Sequence, residues 1–142
     1  MKLNDPYDTN NVFAKILRDE MPAVKVFEDD KTLAFMDVMP QVAGHVLVIP
    51  KSPAANVLTL DPQYAAAMML TAQKVGEAVQ KATEADGFML AQLNGAAAGQ
   101  TVFHIHMHII PRTGGVDMQI HARDMADMAE LEAMAVKIRA CL

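Results

Sequence analysis

Three histidines within five residues, His104-Ile105-His106-Met107-His108, are the part of the chain whose residue types and spacing could do chemistry. Side chains two apart on an extended strand project to the same face. A strand over residues 102–110 would therefore put His104, His106 and His108 on one face. Phe103, Ile105, Met107 and Ile109 would line the other, against the core. A single histidine among apolar residues is more often a hydrogen-bonded core residue, but packing does not call for three at period two. Two chemistries suit them. Neutral imidazole binds zinc and other transition ions. It is also a nucleophile near pH 7, because its ordinary pKa lies close by. Three close imidazoles resist sharing positive charge, so one can attack while a neighbour carries the proton for a leaving group.

The residues just upstream favour attack at phosphorus. Residues 94–101, beginning at Asn94, form a glycine-containing loop in which Gly99 permits close backbone approach. Gln100, Thr101 and the backbone N–H groups are candidate donors to phosphate oxygens and to charge developing on them. A metal site would more usually recruit a carboxylate or thiolate. None lies in the triad segment, although Asp117 or Glu28 could approach from elsewhere, so a metal-dependent enzyme or metal carrier stays as the rival.

The elements that must position these residues read as follows. Residues 1–11 are a loose polar arm. Val12, Phe13, Ile16 and Leu17 have helical spacing, and Met21-Pro22 ends that helix. Strand-like runs follow at 24–28, 32–38 and 45–49, separated by Asp29-Asp30 and Met39-Pro40. The longest helix starts at Asp61 as N-cap with Pro62 first in the helix, and carries a stripe of Tyr64, Met68, Val75, Val79 and Ala82. Gly87 is the expected C-cap. Strands are expected at 88–93 and 102–110, and a closing helix at 124–140 with Met125, Met128, Leu131, Ala135 and Ile138 on one side. Strands and helices do not alternate. The pattern predicts an α+β fold, a five-stranded antiparallel sheet covered by one long helix, with a short N-terminal and a C-terminal helix.

Bulk properties bound the function. The 142 residues suit one domain, and 52% hydrophobic with 20% charged residues is a globular composition. A net charge of −5 disfavours generic nucleic-acid binding, though not a small anion held by local donors. The 12 methionines read as core filling. The one cysteine, Cys141, has no internal disulfide partner, which suits a reducing compartment. No signal-peptide run and no apolar span of membrane length is seen, so a cytoplasmic location without membrane partners is expected.

The string His104-Ile105-His106-Met107-His108-Ile109-Ile110 resembles the motif of the histidine triad family, His-φ-His-φ-His-φ-φ with φ apolar. Gly99-Gln100-Thr101-Val102, Pro111-Arg112, Phe13-Ala14-Lys15-Ile16-Leu17-Arg18, Ala34-Phe35-Met36-Asp37-Val38-Met39-Pro40 and Gly44-His45-Val46-Leu47-Val48-Ile49-Pro50-Lys51 also look like that family. The resemblance runs from about residue 12 to residue 112. It implies a metal-independent purine nucleoside phosphoramidate hydrolase acting at the α-phosphate, with no cofactor. His106 would form a covalent nucleotidyl-histidine. His104 and His45 would orient it, His108 would contact phosphate and help protonate the leaving group, and Thr101 would face the bridging atom. Asp37 would accept from ribose hydroxyls. Phe13, Ile16, Phe35 and Val38 would sandwich the base, each of the first three with ordinary core burial as the alternative. Asn94, Gly99, Gln100 and Val102 would complete the substrate site.

The resemblance also implies a homodimer, with the long helix and fourth strand near the interface. Many bacterial members carry a cysteine pair that binds structural zinc; here those positions are Asn11 and Ala14, so no zinc is expected there. The expected organisation is a polar arm at 1–11, a catalytic domain at 12–115 and a C-terminal helical extension at 116–142, which would complete the dimer or restrict the site mouth. Acyl phosphates and dinucleoside polyphosphates are alternative substrates at the same phosphorus. A nucleotide-binding interaction protein with little turnover is the remaining alternative.

Overall fold

The computed structural model describes residues 1–115, 117 and 124–142. The part of the expected C-terminal extension at 116 and 118–123 lies outside the described residues. The elements are α1 (Val12–Leu17), β1 (Lys25–Glu28), β2 (Thr32–Met36), β3 (Val46–Pro50), α2 (Pro62–Thr83), β4 (Gly87–Ala91), β5 (Met107–Arg112) and α3 (Met128–Ala140). The five strands form one antiparallel sheet in the order β1-β2-β3-β5-β4, as the α+β reading expects.

Local chemistry sets the boundaries. Asn11, Asp61 and Asp127 each accept a backbone N–H from the first turn of α1, α2 and α3, satisfying donors that helix geometry leaves open. The Asp29 carboxylate accepts from the N–H groups of Lys31 and Thr32 and shapes the β1–β2 turn. α2 stops earlier than expected. Glu84 adopts the left-handed conformation at φ 55°, and the Gln80 side chain caps the Ala85 carbonyl at 2.9 Å. Gly87 is the first residue of β4 instead of a helix cap.

Alternation along the strands separates two apolar faces. Ala34, Met36, Val46, Val48 and Ile109 pack under Ala72, Val75, Ala78 and Val79 of α2. Leu131, Ala135 and Ile138 of α3 join the same cluster, while Met125 and Met128 of the expected stripe are exposed. On the opposite face, Leu33, Phe35, Leu47 and Ile49 pack against Phe13 and Ile16 of α1. Gly76 lets the Phe88 ring lie on α2, since a Cβ there would meet Phe88 Cζ at 2.9 Å.

The expected strand over 102–110 is the main correction to the fold. β5 starts at Met107, where β3 stops pairing with it: the last pair is Val48 with Met107. Ahead of it, the Ile105 N–H bonds the Ala54 carbonyl, and the Ile105 side chain joins Ala54, Leu60 and Met68 in a separate small cluster. Only His108 stands on the strand. Period-two alternation is therefore not what gathers the three imidazoles.

Candidate active site

His108 projects from β5 opposite Leu47 of β3, on the α1 side of the sheet. His45 lies just before β3, and its ring meets His108 with Nε2 to Nδ1 at 2.9 Å. His106 stacks edge-on against Phe13 at 5.0 Å and against His108 at 5.0 Å. His104 lies deeper, with Nε2 at 2.9 Å from the Pro50 carbonyl. His45 and His104 are 1% exposed and His106 6%.

The hydrogen bonds assign a proton to one nitrogen of each ring, because the partner outside the ring can play only one role. A carbonyl accepts, so His106 Nδ1 carries hydrogen and donates to the His104 carbonyl at 2.8 Å. Nε2 of His106 therefore holds the lone pair. Pro50 likewise requires hydrogen on His104 Nε2, so His104 Nδ1 accepts from the Tyr7 hydroxyl at 2.6 Å. The Gln41 N–H donates to His45 Nδ1 at 3.1 Å, which puts hydrogen on His45 Nε2. His45 then donates to His108 Nδ1, and His108 keeps its hydrogen on Nε2.

Electrostatics agree with four neutral rings. Burial, with repulsion from His108 and His106, lowers the His45 pKa to about 3. Burial and His106 lower His104 to about 4, against the Pro50 hydrogen bond, and burial and His106 lower His108 to about 4. Burial also lowers His106, opposed by its bond to the His104 carbonyl. The site thus holds a neutral His106 ring with a bare Nε2, beside a neutral His108 ring that carries its hydrogen on Nε2. In the free protein the His108 ring is therefore neutral near pH 7, and a nearby anion would favour its protonated form.

Other expected residues divide. Asp37 is at the site, with Oδ1 accepting from the Met39 N–H at 2.8 Å and Oδ2 at 3.5 Å from His45 Nε2; burial raises its pKa. Val38 is exposed at the rim, and its carbonyl accepts from the Ala126 N–H at 2.9 Å. Phe13, Ile16 and Phe35 are brought together beside His106, yet they are buried against one another. They thus pack in the core and also flank His106. Val102 packs on the same cluster, and Thr101 is exposed.

The loop donors need correction. Gln100 is buried; its side chain bonds the Ala55 and Val102 carbonyls and the Gly95 N–H, and its own N–H bonds the Gly95 carbonyl. The N–H groups of Ala96, Ala98 and Gly99 are also bonded within the fold. Gly99, at φ +100°, serves the turn. Asn94 is held by the Val57 N–H and by Gln92. These hydrogen bonds stiffen the loop and already occupy the Asn94 and Gln100 side chains and the Ala96, Ala98 and Gly99 N–H groups. A short Gly/Ala loop reads the same from sequence whether its donors point in or out.

The metal rival finds a different set of residues. Among the described residues, Asp37, His45 and His108 offer ligand atoms within 4.8 Å of one another. Glu28 is instead paired with Lys51 at 2.7 Å. The Gln41 N–H makes His45 Nε2 a donor toward His108, so the pair forms a hydrogen-bond relay in this arrangement. Tyr7 and the Pro50 carbonyl went unread in the sequence. A lone aromatic in a polar arm was the available signal for Tyr7.

A family model for the HIT domain matches residues 18–115. The chain belongs to that family, one of nucleotide-binding hydrolases. It is 46% identical over 101 residues to Adenylylsulfatase HINT3 of Arabidopsis thaliana, covering 71% of this chain and 51% of the relative. The chain thus spans about half the length of that protein. It is 39% identical over 120 residues to Protein hit of Bacillus subtilis strain 168, covering 81% of this chain and 83% of the relative. The crystal structure of a Hit-like protein involved in cell-cycle regulation from Bartonella henselae matches with a TM-score of 0.91 at 47% identity, covering 96% of this chain and 100% of that one.

Proposed function

We propose that the protein hydrolyses nucleoside monophosphates joined at the α-phosphorus to an amine, through a covalent nucleotidyl-His106. The observation that carries this reading is the bond from His106 Nδ1–H to the His104 carbonyl, which leaves Nε2 as the nucleophilic nitrogen. In the first step the Nε2 lone pair forms a bond to phosphorus. The bond from phosphorus to the leaving amine breaks, and the amine departs with that electron pair. Positive charge grows on the His106 ring, and the His104 carbonyl dipole stabilises it through Nδ1–H. His108, with its hydrogen on Nε2, lies edge-on to His106 at 5.0 Å. A bound phosphate anion raises the proton affinity of His108, so the ring can take a proton and pass it to the leaving group. Water then attacks phosphorus and gives a proton to His108 while the bond from phosphorus to Nε2 breaks, so His106 leaves as neutral imidazole. Division into two displacements lowers each barrier. Asp37 receives the ribose hydroxyls.

The leaving group has a second reading, favoured by one observation: the Arabidopsis relative is named an adenylylsulfatase. Adenylyl sulfate offers the same phosphorus with sulfate in place of an amine. Side-by-side kcat/KM values on an adenosine phosphoramidate, adenylyl sulfate and a diadenosine polyphosphate test the assignment. The phosphoramidate reading expects the first to lead by at least tenfold; a lead by either of the others reassigns the leaving group.

The protein also acts as a homodimer in this reading. β4 lies at the sheet edge with Phe88, Met89 and Leu90 exposed, and Met69 and Leu70 are exposed on α2. A patch of that kind on a soluble domain marks an interface.

A further inference from the structure

The N-terminal arm lies outside the family match, which begins at residue 18, yet it is tied down along its length. The Met1 carbonyl accepts from the Ala96 N–H, and the Leu3 carbonyl accepts from the buried Asn56 side chain at 2.9 Å. Asn11 bonds the Asp8 carbonyl at 2.8 Å, and Arg18 bonds the Thr9 carbonyl at 2.9 Å. These anchors hold Tyr7 over His104, with the rings edge-on at 5.8 Å.

We propose that Tyr7 is a positioning residue for the nucleophile: its hydroxyl donates to His104 Nδ1, holds His104 in the Nε2–H form, and so keeps in place the carbonyl that orients His106. The inference rests on the function proposed above. The Pro50 carbonyl cannot donate, so His104 Nε2 must carry the hydrogen. Nδ1 is then a bare acceptor on a ring 1% exposed, and Tyr7 supplies the donor at 2.6 Å. A buried acceptor without a partner is costly. Loss of the hydroxyl would drive the ring to turn, to admit water or to take up a proton. Each of these disturbs the segment 104–106, in which the His104 carbonyl receives His106 Nδ1–H. Burial raises the Tyr7 pKa, so the phenol remains a donor at neutral pH.

The test is Tyr7→Phe, which keeps the ring and removes only the donor. Two readouts are taken on the full chain below its melting range. The first is the ¹⁵N spectrum of the His104 ring in the free protein. The second is the split between kcat and KM on an adenosine phosphoramidate. The expected result is a shift of His104 Nδ1 away from the hydrogen-bonded imine position. With it, kcat falls about three- to tenfold at unchanged KM, the size of one net hydrogen bond. Unchanged His104 signals overturn the proposal, as does a loss confined to KM or to melting temperature. If the wild-type protein turns over none of the substrates, the function above fails separately. The ¹⁵N readout alone then decides whether Tyr7 sets the His104 tautomer.

Discussion

Acid should destabilise this protein well before its carboxylates titrate, because the site buries neutral imidazoles. His45 is held at about 3, and His104 and His108 at about 4, against about 6.5 for the free side chain. The folded pKa lies below the unfolded one in each case. The stability from these groups is therefore complete above pH 6.5 and is lost as pH falls toward 4, while the unfolded chain binds protons that the folded chain refuses. At pH 5 each group costs about 2 kcal/mol relative to pH 8, against a typical domain stability of roughly 5–15 kcal/mol. Three such groups steepen the stability curve to as much as about 4 kcal/mol per pH unit between pH 6 and 5. Urea denaturation at half-unit intervals from pH 8 to 5 measures this slope. His108→Asn should lower it by roughly 1 kcal/mol per unit. A wild-type slope below about 1 kcal/mol per unit in that window would refute the neutral-imidazole site.

Three further predictions follow from the same geometry. His106→Asn should lower kcat by at least about a thousandfold while nucleotide Kd changes less than about threefold, since the ring supplies chemistry more than binding; calorimetry with a nucleoside monophosphate and turnover assays check the pair. Ile109→Ala, in the fully buried cluster under α2, should cost about 2–5 kcal/mol by urea denaturation. Phe88→Glu combined with Leu70→Lys should convert a dimer to monomer in sedimentation velocity, and an unchanged dimer would place the interface elsewhere.

The features legible in the sequence were those with local causes. Asp61-Pro62 starts α2 because an acceptor side chain and a fixed φ act within one turn. The β2 and β3 runs read as strands because Asp29-Asp30, Met39-Pro40 and Pro50 punctuate apolar segments, whereas the second apolar cluster, against α1, emerged only from the packing. What stayed hidden depended on partners distant in sequence. β5 begins only where β3 can pair with Met107, and residues 102–106 read as strand without that information. Gln100 looked like a phosphate donor until Ala55, 45 residues away, claimed its amide. Tyr7 and His104 are separated by 97 residues. Gly87 read as a helix end because glycine favours C-caps, whereas Gln80 and Glu84 close the helix first.

The central claim is that Nε2 of His106 attacks phosphorus, and the attached nitrogen can be identified directly. Wild-type protein is mixed with an adenosine phosphoramidate, quenched in denaturing base, digested, and the nucleotidyl-histidine peptide located by mass spectrometry. ¹H–³¹P correlation then reports which ring nitrogen carries phosphorus. The prediction is a single adduct on His106 through Nε2. An adduct through Nδ1, on His104 or His108, or turnover with no adduct at all would contradict it.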